Sequence, residues 1–232
     1  MSQNKQNFIA LDTSSSTGIV TLFDQEEILY TESLTEKHAH GQLLCLAINK
    51  ALDILKNNNK NLDAIFVGLG PGSFVGLRIS LATALGFCFG RKISLMGFCS
   101  HRAMAYSEFS DLNNIYIATK ASGDLCYLTS FESSQTNYKL ASKSNILELA
   151  HNNLITNLEL ENSHINIINS QGPTSVGIQR ACLYKLKQIN NIIDESDYIK
   201  PNYIKSPSVS IPKIFNARQK SLDSHPTNAV SL

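Results

Sequence analysis

The 232-residue sequence lacks the features that mark several protein classes. It has no tryptophan, and its formal net charge is only +1, so it shows no basic surplus of the kind that stand-alone nucleic-acid binders carry. It contains no CxxC pair and no Asn-x-Ser/Thr sequon, which argues against a dithiol site, a zinc knuckle and a secreted glycoprotein. Its most apolar stretch, residues 79–90, lies between two arginines and is shorter than the roughly 20 residues of a membrane span. These absences predict a cytoplasmic protein.

Alternating strand and helix patterns fill the first 105 residues. Three short apolar runs predict strands between residues 8 and 31, and an amphipathic pattern predicts a helix over 42–55. A strand over 64–67, a helix over 74–89 and a strand over 93–96 follow. This order predicts a mixed sheet with packed helices in a first lobe, residues 1–105.

The second half repeats this scheme in outline. Strand patterns flank a turn at residues 122–124, and a Gly-Pro loop at 172–175 precedes a helix over 176–186. A strand, a Gly-Pro loop and a helix therefore occur in each half, which predicts two lobes of related design, although unrelated βα units can also look alike. We predict a smaller second lobe over 106–205 and a loosely ordered tail over 206–232, where prolines concentrate.

A glycine-rich loop connects the strand at 64–67 to the following helix. Gly68-Leu69-Gly70-Pro71-Gly72-Ser73 at a helix start is a generic anion site, because free N–H groups and the helix dipole point outward. The loop lacks the lysine of a Walker A motif and the last glycine of a dinucleotide-binding motif. No GxSxG nucleophile elbow occurs in the chain. None of these three specific chemistries is supported.

The helix after this loop has a row of small residues. Gly76, Ser80 and Ala84 recur every four residues and give the helix a nearly flat face, which lets another helix approach closely. Two interpretations remain open: the face packs within its own lobe, or it contacts a partner chain.

Gly70–Ile79, GPGSFVGLRI, resembles the signature of the TsaB (YeaZ) family. The opening Ile9–Ser14, His40 ahead of Gln42-Leu43-Leu44, Leu62–Ile65 and Tyr198–Pro201 are similar to the same family. The resemblance is good over residues 8–105 and weak over 106–205. Two positions depart from the family pattern: Val75 stands where threonine is usual, and Thr119-Lys120-Ala121 stands where Asp-Ala-Arg is common.

The resemblance implies an α/β protein with the two-lobed actin/sugar-kinase/Hsp70-like (ASKH) fold. It also implies an accessory scaffold for threonylcarbamoyl transfer to adenosine 37 of tRNAs that read ANN codons. The expected partners are a catalytic TsaD-like subunit and a TsaE-like ATPase, with a homodimer when TsaD is absent and only indirect contact with tRNA. No cofactor of its own is implied, whereas ATP or ADP at the interface of the complex is compatible with it.

The resemblance and the helix patterns together name two sets of candidate site residues, and no catalytic or metal-binding residue. The predicted partner interface consists of Leu44, Ile48, Ser73, Phe74, Gly76, Leu77, Ser80 and Ala84. The candidate nucleotide or anion contacts are Asp12, Ser14, Gly70, Gly72 and Arg78.

Two other functions compete with this one. A free-standing ASKH-fold ATPase or phosphotransferase would use Asp12, but no glycine lies between Asp12 and Gly18, so the backbone cannot approach a phosphate as closely. This favours a turn or cap role for Asp12. A metallopeptidase would need His38 and His40 as ligands, yet their spacing of two places them on different sides of a helix and no third ligand is evident. We interpret both histidines as surface residues.

Overall fold

The computed structural model describes residues 5–35, 40–132, 135–150, 152–160, 165–202 and 204. Its first sheet has five strands: β1 (Phe8–Asp12), β2 (Gly18–Phe23), β3 (Ile28–Leu34), β4 (Ala64–Gly68) and β5 (Ser94–Phe98), in the order β3-β2-β1-β4-β5. Strand β1 runs antiparallel to β2 and parallel to β4, and β5 runs parallel to β4. The helices of this half are α1 (His40–Asn57), α2 (Phe74–Arg91) and α3 (Ser100–Glu108).

The second sheet repeats this topology. Its strands are β6 (Ile115–Ser122), β7 (Leu125–Glu132), β8 (Gln135–Ser142), β9 (Asn153–Thr156) and β10 (Asn166–Asn169), in the order β10-β9-β6-β7-β8. Strands β6, β7 and β8 are antiparallel neighbours, whereas β9 pairs in parallel with both β6 and β10. A 3₁₀ turn (Lys143–Asn145), a short helix α4 (Ile146–Leu149) and helix α5 (Ser175–Ile189) complete this half. The predicted α/β fold with two related mixed sheets is confirmed.

The central strands of the first sheet are buried on both faces. In β1, Ile9 and Leu11 pack against α1 and α2, while Phe8 and Ala10 face a second apolar cluster on the other side. Successive side chains of a strand point to opposite faces, so a run that is apolar at every position requires a cover on each face. Helices α1 and α2 cover one face, and α3 and α5 cover the other.

Helix α5 therefore packs on the first sheet, although it follows the second sheet in sequence. Its Ile178, Ala181 and Cys182 are buried in the cluster that contains Phe8, and the side-chain amide of Gln179 donates to the carbonyl oxygen of Asp24 at 3.1 Å. The chain after α5 also lies along the first sheet, at β5. The expected second lobe, residues 106–205, thus loses α5 and the chain after it to the first lobe. The predicted tail, residues 206–232, lies outside the described residues.

Candidate functional site

The carboxylate of Asp12 joins three chain segments at the end of β1. One oxygen accepts hydrogen bonds from the backbone N–H and hydroxyl of Ser14, at 2.9 and 2.6 Å. The other accepts from the hydroxyl of Ser100, the first residue of α3, at 2.6 Å. The Ser100 oxygen in turn accepts from the N–H of Gly70 at 3.1 Å. Asp12 is fully buried, and this burial raises the pKa of its carboxyl group, although the serine hydrogen bonds oppose the shift.

The glycine loop and the start of α2 lie directly against the turn that follows Asp12. A Cβ atom on Gly72 would lie 2.3 Å from the carbonyl oxygen of Ser14, and one on Gly76 would lie 2.0 Å from that of Thr13. The N–H of Ser73 donates to the Ser14 carbonyl at 2.7 Å, and the hydroxyl of Thr13 donates to the Gly76 carbonyl at 2.7 Å. Glycine is required at these two positions because the backbone of the turn occupies the space of a side chain.

Three N–H groups of the loop and of the start of α2 have partners inside the chain. The N–H of Gly70 donates to Ser100, that of Ser73 donates to Ser14, and that of Gly76 donates to the Ser73 hydroxyl at 3.1 Å. Ser73 is thus the N-cap of α2. In this arrangement the donors hold the loop together rather than face outward.

The structure brings four of the five candidate anion contacts together. Asp12, Ser14, Gly70 and Gly72 all belong to the hydrogen-bonded junction described above. Arg78 is separate from them: it lies on the exposed side of α2, with its guanidinium carbon 3.9 Å from the centroid of the Phe74 ring. The four clustered residues contact one another, so their geometry is that of a structural junction.

The structure places six of the eight residues of the predicted partner interface inside the chain's own lobe. Ser73 is exposed and Phe74 is half-buried. The other six are buried; they are Leu44, Ile48, Gly76, Leu77, Ser80 and Ala84. Gly76 lets α2 approach the Thr13–Ser14 turn, and the other small residues of its row, Ser80 and Ala84, are buried within the lobe.

A different row of small and apolar residues faces outward. Val75 is 64% exposed, Phe89 is 92% exposed, and Ala82 and Gly86 lie between them on the same side of α2. No atom lies within 4 Å of the position that a Cβ on Gly86 would take. Leu46 on the adjacent helix α1 is also exposed, at 57%. We call these five residues the α1–α2 face.

Helix α2 is apolar on nearly all sides. Among the described helices it alone is long and apolar enough to cross a bilayer by length and composition. Its 18 residues have a mean hydropathy of 1.3, and 28% of them are buried. Helices of soluble proteins pass the same criterion, so we regard it as weak evidence for a membrane segment. An apolar helix with a largely open surface is equally what a protein-binding helix presents.

His101 connects the two halves of the molecule, and the sequence patterns did not single it out. It is fully buried in α3, with Nδ1 2.7 Å from the Thr129 hydroxyl and Nε2 2.9 Å from the Thr119 hydroxyl. Burial lowers the pKa of its imidazole to about 3. Thr119 belongs to the segment that departs from the TsaB pattern, and here it serves as a hydrogen-bond partner between the lobes.

No group of three or more His, Cys, Asp or Glu side chains that could hold a metal ion occurs within the described ranges. The described cysteines are all free thiols: Cys45, Cys88, Cys99, Cys126 and Cys182. Of the two histidines considered as metal ligands, His38 lies outside the described residues.

Comparisons with known proteins identify the family. The family model described as "TsaD: tRNA N6-adenosine threonylcarbamoyltransferase" matches residues 28–213. The tRNA threonylcarbamoyladenosine biosynthesis protein TsaB of Haemophilus influenzae is 32% identical over 104 residues, which cover 44% of this chain and 42% of that protein. The match thus spans less than half the length of this curated relative.

Two solved structures from Pseudomonas aeruginosa have the same fold. One, described as an uncharacterized protein with similarity to peptidase YEAZ, superposes with a TM-score of 0.65 at 18% identity and covers 86% of this chain and 100% of that one. The other, YeaZ, gives 0.63 at 17% identity, covering 85% and 99%. The chain therefore belongs to the family of the TsaD model.

Proposed function

We propose that this chain is an accessory subunit in the threonylcarbamoylation of adenosine 37 of tRNAs that read ANN codons, working in the cytoplasm. The matching family model, described as a tRNA N6-adenosine threonylcarbamoyltransferase, and the similarity to TsaB of Haemophilus influenzae support the pathway. In this proposal a TsaD-like subunit carries out the transfer and a TsaE-like ATPase joins the complex. The near-neutral charge of +1 supports a role in which the partner makes most of the tRNA contacts.

The observation that carries the proposal is the α1–α2 face. Phe89 exposes 92% of its surface and Val75 exposes 64%, and large apolar side chains exposed on one side of a helix are typical of a protein-interaction surface. Gly86 between them leaves room for a close helix-to-helix approach. The same face would serve for a homodimer when the TsaD-like subunit is absent.

A non-catalytic role agrees with the state of the Asp12 junction. Both carboxylate oxygens of Asp12 and the loop N–H groups of Gly70 and Ser73 already have partners within the chain. A phosphate or metal ion bound there would have to displace these hydrogen bonds. We therefore propose that any ATP or ADP binds where the chain meets its partner.

The test is association with the TsaD-like subunit, measured by gel filtration and titration calorimetry. Phe89→Ser removes an exposed ring, so we expect an unchanged thermal midpoint and an affinity at least about tenfold weaker, since burying a phenyl ring contributes roughly 1.5–3 kcal/mol. Val176→Ser on α5 is the matched control, because Val176 is also exposed, at 41%, but lies away from this face. Full affinity of the Phe89 variant would contradict the interface assignment.

A reconstitution tests the pathway separately. Purified TsaD-like and TsaE-like subunits and the enzyme that supplies the threonylcarbamoyl group are incubated with tRNA, with and without this chain. We expect modified adenosine only when the chain is present. Equal modification without it would contradict the accessory role, whatever the calorimetry shows.

A further inference from the structure

A cavity of about 260 Å³ lies between the two halves of the molecule. Its floor is formed where β4 and β5 end, at Leu69 and Gly97, and α5 and β8 supply the other walls. In open sheets, ligands bind in the crevice outside the carboxyl ends of parallel strands. This interlobe cavity has that location; it borders the Asp12 junction at Gly70 and is separate from the α1–α2 face.

Arg102 presents a fixed guanidinium group in the wall of the cavity. The group lies 4.2 Å from the centroid of the Tyr184 ring and 4.9 Å from that of Phe131. Its Nη2 donates to the hydroxyl of Thr136 at 2.8 Å, which uses one of the five N–H donors that arginine carries. The two rings and the hydroxyl hold the cation in one place, so little conformational freedom would be lost on binding an anion.

A second cation, Lys185, lies in the same wall. Its ammonium group contacts a carboxylate oxygen of Glu195 at 2.8 Å, and the other oxygen of Glu195 accepts from the N–H of Gly97 at 2.7 Å. Arg102 and Lys185 line the cavity, whereas no carboxylate does so among the described residues. Because Glu195 neutralises one of the two cations, the side chains around the cavity carry a net charge of about +1. This charge matches a monoanionic ligand better than a dianionic one.

The remaining walls are largely aromatic. Tyr138, 38% exposed, and Tyr184 both line the cavity, and the Tyr138 hydroxyl donates to the sulfur of Cys99 at 3.3 Å, which orients its ring. Aromatic rings favour stacked or edge-to-face contact with another ring. The volume lies just below the roughly 300–1,000 Å³ of pockets for drug-sized ligands, so it suits one ring with one acid group.

We propose that the interlobe cavity binds a small aromatic carboxylate, with the carboxylate at Arg102 and Lys185 and the ring against Tyr138 and Tyr184. This function goes beyond the accessory role and does not depend on it. The planar fork of arginine favours bidentate contact with a carboxylate.

Titration calorimetry on the full chain tests this proposal, with benzoate as the probe. We expect saturable 1:1 binding with a dissociation constant of about 1 mM or tighter. Benzyl alcohol has the ring without the charge, inorganic phosphate has charge without the ring, and phenyl phosphate has the ring with a dianion. Each should bind at least about tenfold more weakly than benzoate.

Two lysines on α5 provide a matched pair of variants. Lys185→Gln removes the cation but keeps a donor for Glu195, and we expect benzoate affinity to fall about tenfold, as for the loss of one charge-assisted hydrogen bond. Lys187→Gln makes the same change in net charge at an exposed residue that lies outside this cavity, and affinity should not change. Absence of saturable binding, equal effects of the two variants, or tighter binding of either phosphate would overturn the proposal.

Discussion

Lowering the pH should weaken this fold through a single buried side chain, His101. The imidazole bridges Thr119 and Thr129, and burial lowers its pKa from 6.5 to about 3. Between these two pH values the unfolded chain binds a proton at this residue and the folded chain does not, so acidification favours unfolding. The contribution of His101 to the free energy of unfolding is therefore fully present above pH 6.5, and it is lost progressively as the pH falls towards 3.

The expected size follows from the shift. Each pH unit below 6.5 removes about 1.4 kcal/mol until the folded form also titrates. The free energy of unfolding should thus be about 2 kcal/mol lower at pH 5 than at pH 7.5 from this residue alone. Asp12 acts in the opposite direction: its pKa is raised by burial, so its contribution is present at low pH and is lost as the pH rises through its folded value.

Comparison with His101→Gln separates the two effects. Glutamine keeps a donor and an acceptor but does not titrate, while Asp12 is unchanged in both proteins. Urea denaturation at pH 5.0, 6.0 and 7.5 should show that the free energy of unfolding falls more steeply with acid in the wild type than in the variant. Between pH 7.5 and pH 5.0 the wild type should lose about 2 kcal/mol more than the variant. Parallel pH profiles would refute the reasoning, because they would mean that His101 does not remain neutral when the protein is folded.

Two further predictions concern packing around α2 and the Asp12 junction. Gly76→Ala should lower the free energy of unfolding by about 2 kcal/mol, because its Cβ would lie 2.0 Å from the Thr13 carbonyl oxygen. The same substitution at Gly86, where the space is open, should raise it by about 1 kcal/mol; equal shifts in urea denaturation would contradict the assignment of inner and outer faces. Ser100→Ala should lower the free energy of unfolding by roughly 1–3 kcal/mol, because it removes a hydrogen-bond donor from buried Asp12. If Ser100→Ala caused a loss of the same size in an Asp12→Asn background, the two residues would not be coupled.

Local patterns were sufficient to predict most elements of the two sheets. The amphipathic pattern over 42–55 lies within α1, and the Gly-Pro loop at 172–175 leads into α5 as expected. These elements depend on short-range periodicity and turn chemistry, which a single sequence carries. The strands β8 and β9 and the helix α3 were not predicted, since β8 and α3 have no strong apolar period and β9 has only four residues.

Which lobe a helix packs against is not encoded locally. The buried residues Ile178, Ala181 and Cys182 form an apolar stripe on α5 that either sheet could receive. The first sheet receives it because Phe8 and Phe66 lie on a face that α1 and α2 leave uncovered. That outcome depends on strands more than 100 residues away, so sequence order alone does not indicate that α5 packs on the first sheet. The contacts of His101, which span 18 and 28 residues, are equally invisible to periodicity.

The two rows of small residues on α2 show why its sequence alone does not indicate which side of the helix is open to a partner. Gly76, Ser80 and Ala84 form one row, and Ala82 and Gly86 form another. Because α2 is apolar nearly all round, its sequence does not indicate which row faces inward. The position of the Thr13 carbonyl decides it, since only a residue without a side chain fits at Gly76. The inner row is thereby explained by packing within the chain. Gly86 has open space and weakens an isolated helix by about 1 kcal/mol relative to alanine, and this open space is what the proposed approach of a partner helix would require.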